Sequence, residues 1–186
     1  MKFKFSTFFS TFAISLATLA FGDVHAKNAH AKNAKLIAKD PVIKSFFSAA
    51  DNAPQTFTGP ESPTSPLPSF APLTFTKHVY HRGHAIESHK DKFRLKKGVY
   101  LISFAGTFTG SITDSAEIFD IALQLGSDVI FINTDSADFI NPAMSSFTKT
   151  IRVEDGQKDL SIVVRTQTPL STVTASTRSI TIEQLK

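Results

Sequence analysis

Lys96-Lys97-Gly98-Val99-Tyr100-Leu101-Ile102-Ser103-Phe104-Ala105-Gly106-Thr107-Phe108 is the stretch whose reading decides the fold. A basic turn with a glycine leads into a run rich in β-branched and aromatic residues, the composition of a strand. Successive side chains on a strand point to opposite faces. Tyr100, Ile102, Phe104 and Phe108 therefore share one face, and Val99, Leu101, Ser103 and Ala105 the other. A strand of a half-exposed antiparallel sheet needs only one apolar face. This one has two, so it is expected to be buried twice: once in its own core and once against another subunit.

Strand signals recur on both sides of this stretch. Val42 to Ala49 is the first candidate. Leu73, Phe75, Lys77 and Val79 alternate with Thr74, Thr76, His78 and Tyr80, and Arg82-Gly83 reads as a turn. Phe93-Arg94-Leu95 leads into the basic turn. Phe119, Ile121, Leu123 and Leu125 alternate with Ile118, Asp120, Ala122 and Gln124, and Gly126-Ser127-Asp128 turns the chain into Val129–Ile132. Phe147, Lys149, Ile151 and Val153 alternate with Thr148, Thr150 and Arg152, and Asp155-Gly156 reads as a hairpin turn before Leu160, Ile162 and Val164. Ser179 to Leu185 closes the chain. Between the first two strands, Asp51 to Pro72 holds six of the nine prolines. Proline fixes φ and removes a donor, so no central strand fits there. A loop this long is functional or disordered, and Phe57 and Phe70 point to packing on the body. No sustained helical periodicity follows residue 41. The pattern is that of an all-β sandwich or jelly roll.

The chain of 186 residues has room for one domain with a full core and extensions. With no Cys there is no disulfide framework and no thiolate chemistry. The formal charge of +4 is far from the dense basic patch of nucleic-acid binders. Residues 1–26 read as a secretory signal: Lys2 and Lys4 precede an uncharged run from Phe5 to Phe21, and Val24-His25-Ala26 suits cleavage after Ala26. Cleavage removes Lys2, Lys4 and Asp23 and takes the formal charge from +4 to +3. No later stretch is apolar and long enough to span a membrane. Residues 27–41 are basic and nearly free of bulky apolar groups, and Ala-Lys-Asn-Ala occurs at 26–29 and again at 31–34, the composition of a flexible leader or an electrostatic tether. The domain proper is then 42–186. The localisation expected is secreted, extracellular or cell-surface, with the periplasm as the alternative.

Taken together, these strands resemble the tumour necrosis factor and complement globular-head superfamily over about residues 42–186. Phe47-Ser48-Ala49 is similar to the first-strand signature of the complement-head branch. Phe93 to Phe104 is similar to the strand, turn, Gly-Val-Tyr and aromatic signature, the most specific of the set. Ile151 to Gly156, continuing through Asp159-Leu160-Ser161-Ile162, resembles the family's late hairpin, lengthened here by Gln157-Lys158. Thr174 to Ile182 is similar to the last strand of bacterial members such as the C-terminal domains of collagen-like spore-surface glycoproteins. The resemblance implies a ten-stranded antiparallel jelly-roll sandwich that assembles as a homotrimer. It implies that Val99, Leu101 and Ser103 face the trimer axis while Tyr100, Ile102 and Phe104 fill the core, the split already read from alternation. Two departures stand out. No Gly-X-Y stalk precedes the domain, and Ile180 and Ile182 replace the usual late aromatic.

His78, His81, His84 and His89 are the densest set of possible metal ligands. A strand would split them between faces, so a turn at Arg82-Gly83 or a three-fold axis is needed to gather them. The acids Asp114, Glu117, Asp120, Asp135 and Asp138 match no calcium-loop spacing and read as solvated turn formers. No Gly-X-Ser-X-Gly, HExxH or phosphate-loop motif occurs. The first reading is an exported, non-enzymatic trimeric module without a cofactor. It would recognise a surface, glycan or protein through the Pro-rich loop 51–72, the loops around 110–116 and 133–146, and the grooves between subunits. The second is an exported metal-binding protein or hydrolase using His81, His84 and His89. A third, a monomeric carbohydrate-binding sandwich, is weakened by the absence of Trp and by only two Tyr.

Overall fold

The computed structural model describes residues 44–113 and 115–186, all within one compact unit, Lys39–Lys186. The expected signal at 1–26, the leader at 27–41, the start of the first strand at Val42-Ile43, and Asp114 lie outside the described residues. The elements are all strands: β1 Ser45–Asp51, β2 Gln55–Thr58, β3 Ala71–Pro72, β4 Lys77–Arg82, β5 Ile86–His89, β6 Lys92–Gly110, β7 Glu117–Leu125, β8 Asp128–Ala137, β9 Ala143–Thr166 and β10 Thr172–Gln184. Every pairing is antiparallel.

Two long strands make the sandwich. β6 and β9 pair with each other over almost their full length, and the ladder shifts where Lys96–Gly98 opposes Val153–Gln157. Before that shift β6 also pairs with β5, and after it with β10. The second half of β9 pairs with β7 and β3 instead. The ribbon therefore folds over at this point and passes from one layer to the other, the way a strand turns a corner by a bulge. One layer runs β4-β1-β10-β6-β9 and the other β5-β6-β9-β7-β8. This corrects the expected turns: Lys97-Gly98 and Asp155-Gly156 bend continuous strands and separate no hairpin arms. Gly156 sits at φ 62°, a backbone state glycine adopts without a Cβ penalty.

The core lies between the layers. Tyr100, Ile102, Phe104 and Phe108 are buried, with Phe93 and Leu95 from the other half of the same strand. Phe47, Ile180 and Ile182 lie beside Tyr100, Ile102 and Phe104 in the same layer, and Phe119, Ile121, Leu123, Ile162 and Val164 join the cluster from the other. The alternation expected for the deciding stretch is thus observed on its inner face. Burial pushes the Tyr100 hydroxyl up to about 12. That hydroxyl donates to the Lys96 carbonyl at 2.7 Å, which ties the corner to the core.

Three further expectations change. The first strand runs two residues past Ala49, to Asp51. The Pro-rich stretch contains β2 and β3, each paired along one side only, against β10 and β9, as its prolines require. Phe57 is buried and Phe70 lies 4.4 Å from the Arg165 guanidinium, so the stretch does pack on the body. Residues 73–80 are not one strand. Leu73 and Phe75 are buried outside any strand, and every residue of β4 is exposed. A register shift at Val79 breaks the alternation there, and bulges of this kind are common at sheet edges.

A buried ion pair fixes the irregular segment to the sheet. Arg178 and Asp51 are each 1% exposed, with Nη2 and Oδ2 3.5 Å apart. Arg178 donates to the Thr74 carbonyl (2.7 Å), the Ala53 carbonyl (2.8 Å) and Thr74 Oγ1 (3.0 Å). Asp51 accepts from the Ala53 amide, the Thr76 amide and Thr76 Oγ1. Burial by itself would raise the Asp51 carboxyl. Those hydrogen bonds and the Arg178 charge outweigh it and hold the group below the usual carboxylate value. A depressed native pKa contributes stability at neutral pH that is lost as pH falls through the native value. Asp51→Asn should therefore cost about 3–5 kcal/mol at pH 7, because it leaves Arg178 buried and uncompensated. It should also flatten the acid-side fall of the melting temperature. Thermal melts from pH 7 to pH 3 on both proteins check this, and equal slopes would refute it.

Candidate functional site

No single cleft dominates; three surfaces present chemistry. The first is the outer face of the β4-β1-β10-β6-β9 layer. The registers place Tyr80, Ser48, Thr181, Ser103 and Thr148 in one row across it. Arg82, Phe46, Glu183, Leu101 and Thr150 form the next, and Lys77, Ala50, Ser179, Ala105 and Ser146 another. Val99, Leu101 and Ser103 are partly buried, all on this face, and Ser103 Oγ lies 3.2 Å from Thr148 Oγ1. Phe46 and Tyr80 meet edge to face at 5.6 Å. The face is short-chained and hydroxyl-rich in the rows of Ser48 and Ala50, and charged in the row of Leu101 and Phe46, where Glu183 stands between them and Arg82 beside Phe46. Its apolar character is thus local to part of the deciding stretch, which one strand read alone does not reveal.

At the corner end this face meets a cavity of about 580 Å³ lined by Lys97, Gly98, Val99, Arg152, Val153, Glu154, Asp155 and Lys186. The Val99 amide donates to the Lys186 carbonyl at 2.9 Å, and the Leu185 amide to the Val99 carbonyl at 2.8 Å. The end of the chain is therefore part of this wall.

The second surface is a groove of about 650 Å³ on the side where the edge strands β4 and β5 come together. It is lined by Phe75, Thr76, His78, Ser88, His89, Lys90, Asp91 and Lys92. His78 Nε2 lies 3.0 Å from Ser88 Oγ, and the His78 ring packs edge-on against Phe47 at 5.3 Å. His81 also packs edge-on against Phe47, at 5.8 Å. His84 stands in the turn after Gly83, and His89 ends β5. Among the described residues, no three His, Asp or Glu side chains are gathered to hold a metal ion. The strands separate His81, His84 and His89 as alternation and the turn dictate.

The third surface is the end of the sandwich opposite the corner. Here two of the acids, Glu117 and Asp120, are not the solvated turn formers expected, while Asp138 is one. Glu117 is fully buried and accepts from Ser111 Oγ (2.6 Å), the Ser111 amide (2.7 Å) and the Ile112 amide (3.1 Å). Gly110 makes room for it, since a Cβ there would collide with the Glu117 carboxylate. Asp120, 2% exposed, accepts from Arg165 Nη2 (2.6 Å), Gln167 Nε2 (2.7 Å) and Thr134 Oγ1 (2.7 Å). Asp138 accepts from the amides of Ile140 and Asn141 and from Asn141 Nδ2, and these bonds hold its carboxyl below the usual range. The expected loop 133–146 shrinks to 138–142, because β8 runs to Ala137 and β9 begins at Ala143. Sequence reading passed over the exposed pair Phe139-Ile140. The available signal was Asp138 and Asn141-Pro142, turn formers on either side of two bulky apolar residues.

No family model matches the chain, and no curated protein matches it in sequence. Solved structures match the fold. Murine APRIL, crystallised at pH 8.5, overlays with a TM-score of 0.52 at 12% identity, over 76% of this chain and 98% of that one. This is a tumour-necrosis-factor-like jelly roll. The globular domain of zebrafish complement 1qA overlays at 0.48 with 12% identity, over 76% of this chain and 97% of that one. The PRD1 vertex protein P5 overlays at 0.49 with 14% identity, over 77% and 99%. The assignment of the jelly roll rests on the APRIL overlay, and at such identity the likeness is one of fold. The overlay speaks to the fold and not to the bacterial branch. The ten strands match the expected number, although β6 and β9 each serve both layers and the short β2 and β3 make up the count.

The Glu117 carboxylate holds the first of the end loops of the jelly roll. Glu117→Ala should leave three donors without their acceptor and cost about 2–4 kcal/mol. Hydrogen exchange should accelerate at the Ser111 and Ile112 amides before it does in the core strands. Unchanged protection at those amides would refute the clamp.

Proposed function

We propose that this protein is an exported, homotrimeric binding module that recognises a surface, a glycan or another protein. One observation carries the reading. On the outer face of the β4-β1-β10-β6-β9 layer, Val99 and Leu101 stand among Ser103, Ser48, Thr181, Ser179 and Ala105. Small side chains let two backbones approach closely, and Ser48, Thr181, Ser103, Ser179 and Ala105 carry no charge to desolvate, although Glu183 stands cross-strand from Leu101 and Arg152 from Val99. Val99, Leu101 and Ser103 are assigned to the three-fold axis, as the family resemblance implies. The APRIL overlay supports the fold on which that assignment depends. Recognition then falls to the end loops, the Pro-rich segment and the grooves that assembly would form beside the 580 Å³ corner cavity. The reading is of binding and not of catalysis, with export provided by residues 1–26. Among the described residues no helix is long and apolar enough to cross a membrane.

Sedimentation velocity on the purified protein should give a trimer mass. Leu101→Glu places three like charges at the axis and should yield monomers or abolish folding. Ser103→Lys, at the same face but between hydroxyls, should weaken assembly while leaving a folded chain. A wild-type protein that sediments as a folded monomer would overturn the axis assignment of Val99, Leu101 and Ser103.

A further inference from the structure

The end of the sandwich opposite the corner carries an apolar crown. Loops 59–62, 111–113, 138–142 and 167–171 meet there and are bonded to one another. The Phe139 amide donates to the Ile112 carbonyl at 3.0 Å, the Leu170 amide to the Pro60 carbonyl at 2.8 Å, and the Gly59 amide to the Ser171 carbonyl at 2.9 Å. The Thr172 amide donates to Ser111 Oγ at 3.0 Å. On this framework Phe139 is 61% exposed, Ile140 68% and Leu170 79%. Single exposed apolar residues are ordinary, but several on one bonded set of loops mark a contact surface.

These side chains are held out and do not lie folded back. The Asp138 carboxylate pins the Ile140 and Asn141 amides, which fixes the Phe139-Ile140 tip. Leu170 sits at φ 55°, where glycine or asparagine is usual, after Pro169. That state is unfavourable for a residue with a Cβ, and Leu170 holds it while burying little of its own surface.

The charge pattern selects the partner. From Gly98 to Thr148 there is no Lys, Arg or His, and loops 59–62 and 167–171 carry none either. The charged side chains of these described loops are carboxylates: Asp138 in the tip itself and Glu61 in loop 59–62. Such a surface has no attraction for an anionic bilayer. It suits a zwitterionic one, whose outermost charge is a choline cation. The tips project from the loops, which fits insertion into a deformable interface better than docking into a rigid groove.

We propose that this end of the molecule is a membrane-contact surface, inserting Phe139 and Ile140, flanked by Leu170, into a phosphatidylcholine-type interface. The inference deepens the recognition reading by naming the partner; it depends on the end loops as the contact surface and is independent of trimer formation. Contact is peripheral, through side-chain burial at the headgroup boundary.

The test is cosedimentation of the purified protein with phosphatidylcholine vesicles. Binding should persist at about 0.5 M salt, since it is apolar and not electrostatic. Phe139→Ser/Ile140→Ser should reduce partitioning about tenfold or more, with an unchanged melting temperature. The protein contains no Trp, so Phe139→Trp is a single-site reporter. Its emission should shift to the blue with vesicles and be quenched by bromine-labelled acyl chains. Three results would overturn the proposal: no binding by the wild type, equal binding by the double variant, or a Phe139→Trp emission that vesicles leave unchanged. Binding confined to phosphatidylglycerol-rich vesicles and abolished by salt would also overturn it, and would move the contact to basic residues elsewhere. Sedimentation of the same samples separates the two readings. A trimer that ignores the vesicles sinks only this inference, and a monomer that binds them sinks only the assembly.

Discussion

The pairing of β6 with β9 is the constraint on which the rest of this structure depends. Nineteen residues of one strand and twenty-four of the other form a single ribbon, and the ribbon is folded once. Each half of the ribbon nucleates one layer: β10 and β1 add to one, β7 and β8 to the other. The fold at Lys97-Gly98 and Glu154-Gly156 places Tyr100, Ile102 and Phe104 opposite Phe119, Ile121 and Leu123, so the core follows from the bend. Both strands must yield at the same place. One does so with a glycine that lies too close to the Lys186 carbonyl for a Cβ, the other with a glycine at positive φ.

The polar groups inside the molecule do a different job. Asp51, Arg178, Glu117 and Asp120 are all nearly or fully buried, and their partners lie in irregular segments or at strand ends. Arg178 holds residues 53 and 74, Glu117 holds 111–112, and Asp120 gathers Thr134, Arg165 and Gln167. A sandwich has ample backbone pairing within its sheets, but its loops have only scattered backbone bonds. Carboxylates and a guanidinium provide the missing partners where the chain leaves the ladder. This is how a chain with so much proline between its first strands, and no disulfide, keeps its connections ordered.

The surface is uneven in consequence. Cations gather near the corner and along β4 to β6, at Lys90, Lys92, Lys96, Lys97, Arg152 and Lys186, while the opposite end has none in its loops. The layer that carries Val99 and Leu101 has neutral, short-chained rows at Ser48, Thr181, Ser103 and Thr148 and at Ala50, Ser179, Ala105 and Ser146, with Glu183 and Arg152 beside Leu101 and Val99. Basic, neutral and apolar surfaces thus occupy separate parts of one small domain, and each suits a different kind of contact.

Much of this was legible in the sequence. Period-two alternation over Val99 to Phe108 located the core face, and the same period identified β7, the two halves of β9 and the end of β10. Gly83 and Gly126 marked true turns. Such signals survive because burial on a strand imposes a period that neighbouring residues record. The sequence by itself determined an all-β chain, the inner face of its organising strand and the absence of thiol chemistry. Only the tertiary structure decided that Lys97-Gly98 and Asp155-Gly156 bend strands and do not end them, since a bend and a hairpin use the same residues. It alone decided that Glu117 and Asp120 are buried, because a carboxylate is buried only where distant amides and cations converge on it. It alone decided, too, that Phe139, Ile140 and Leu170 stand out in water: exposure is a property of what fails to cover a residue, and no local pattern records that.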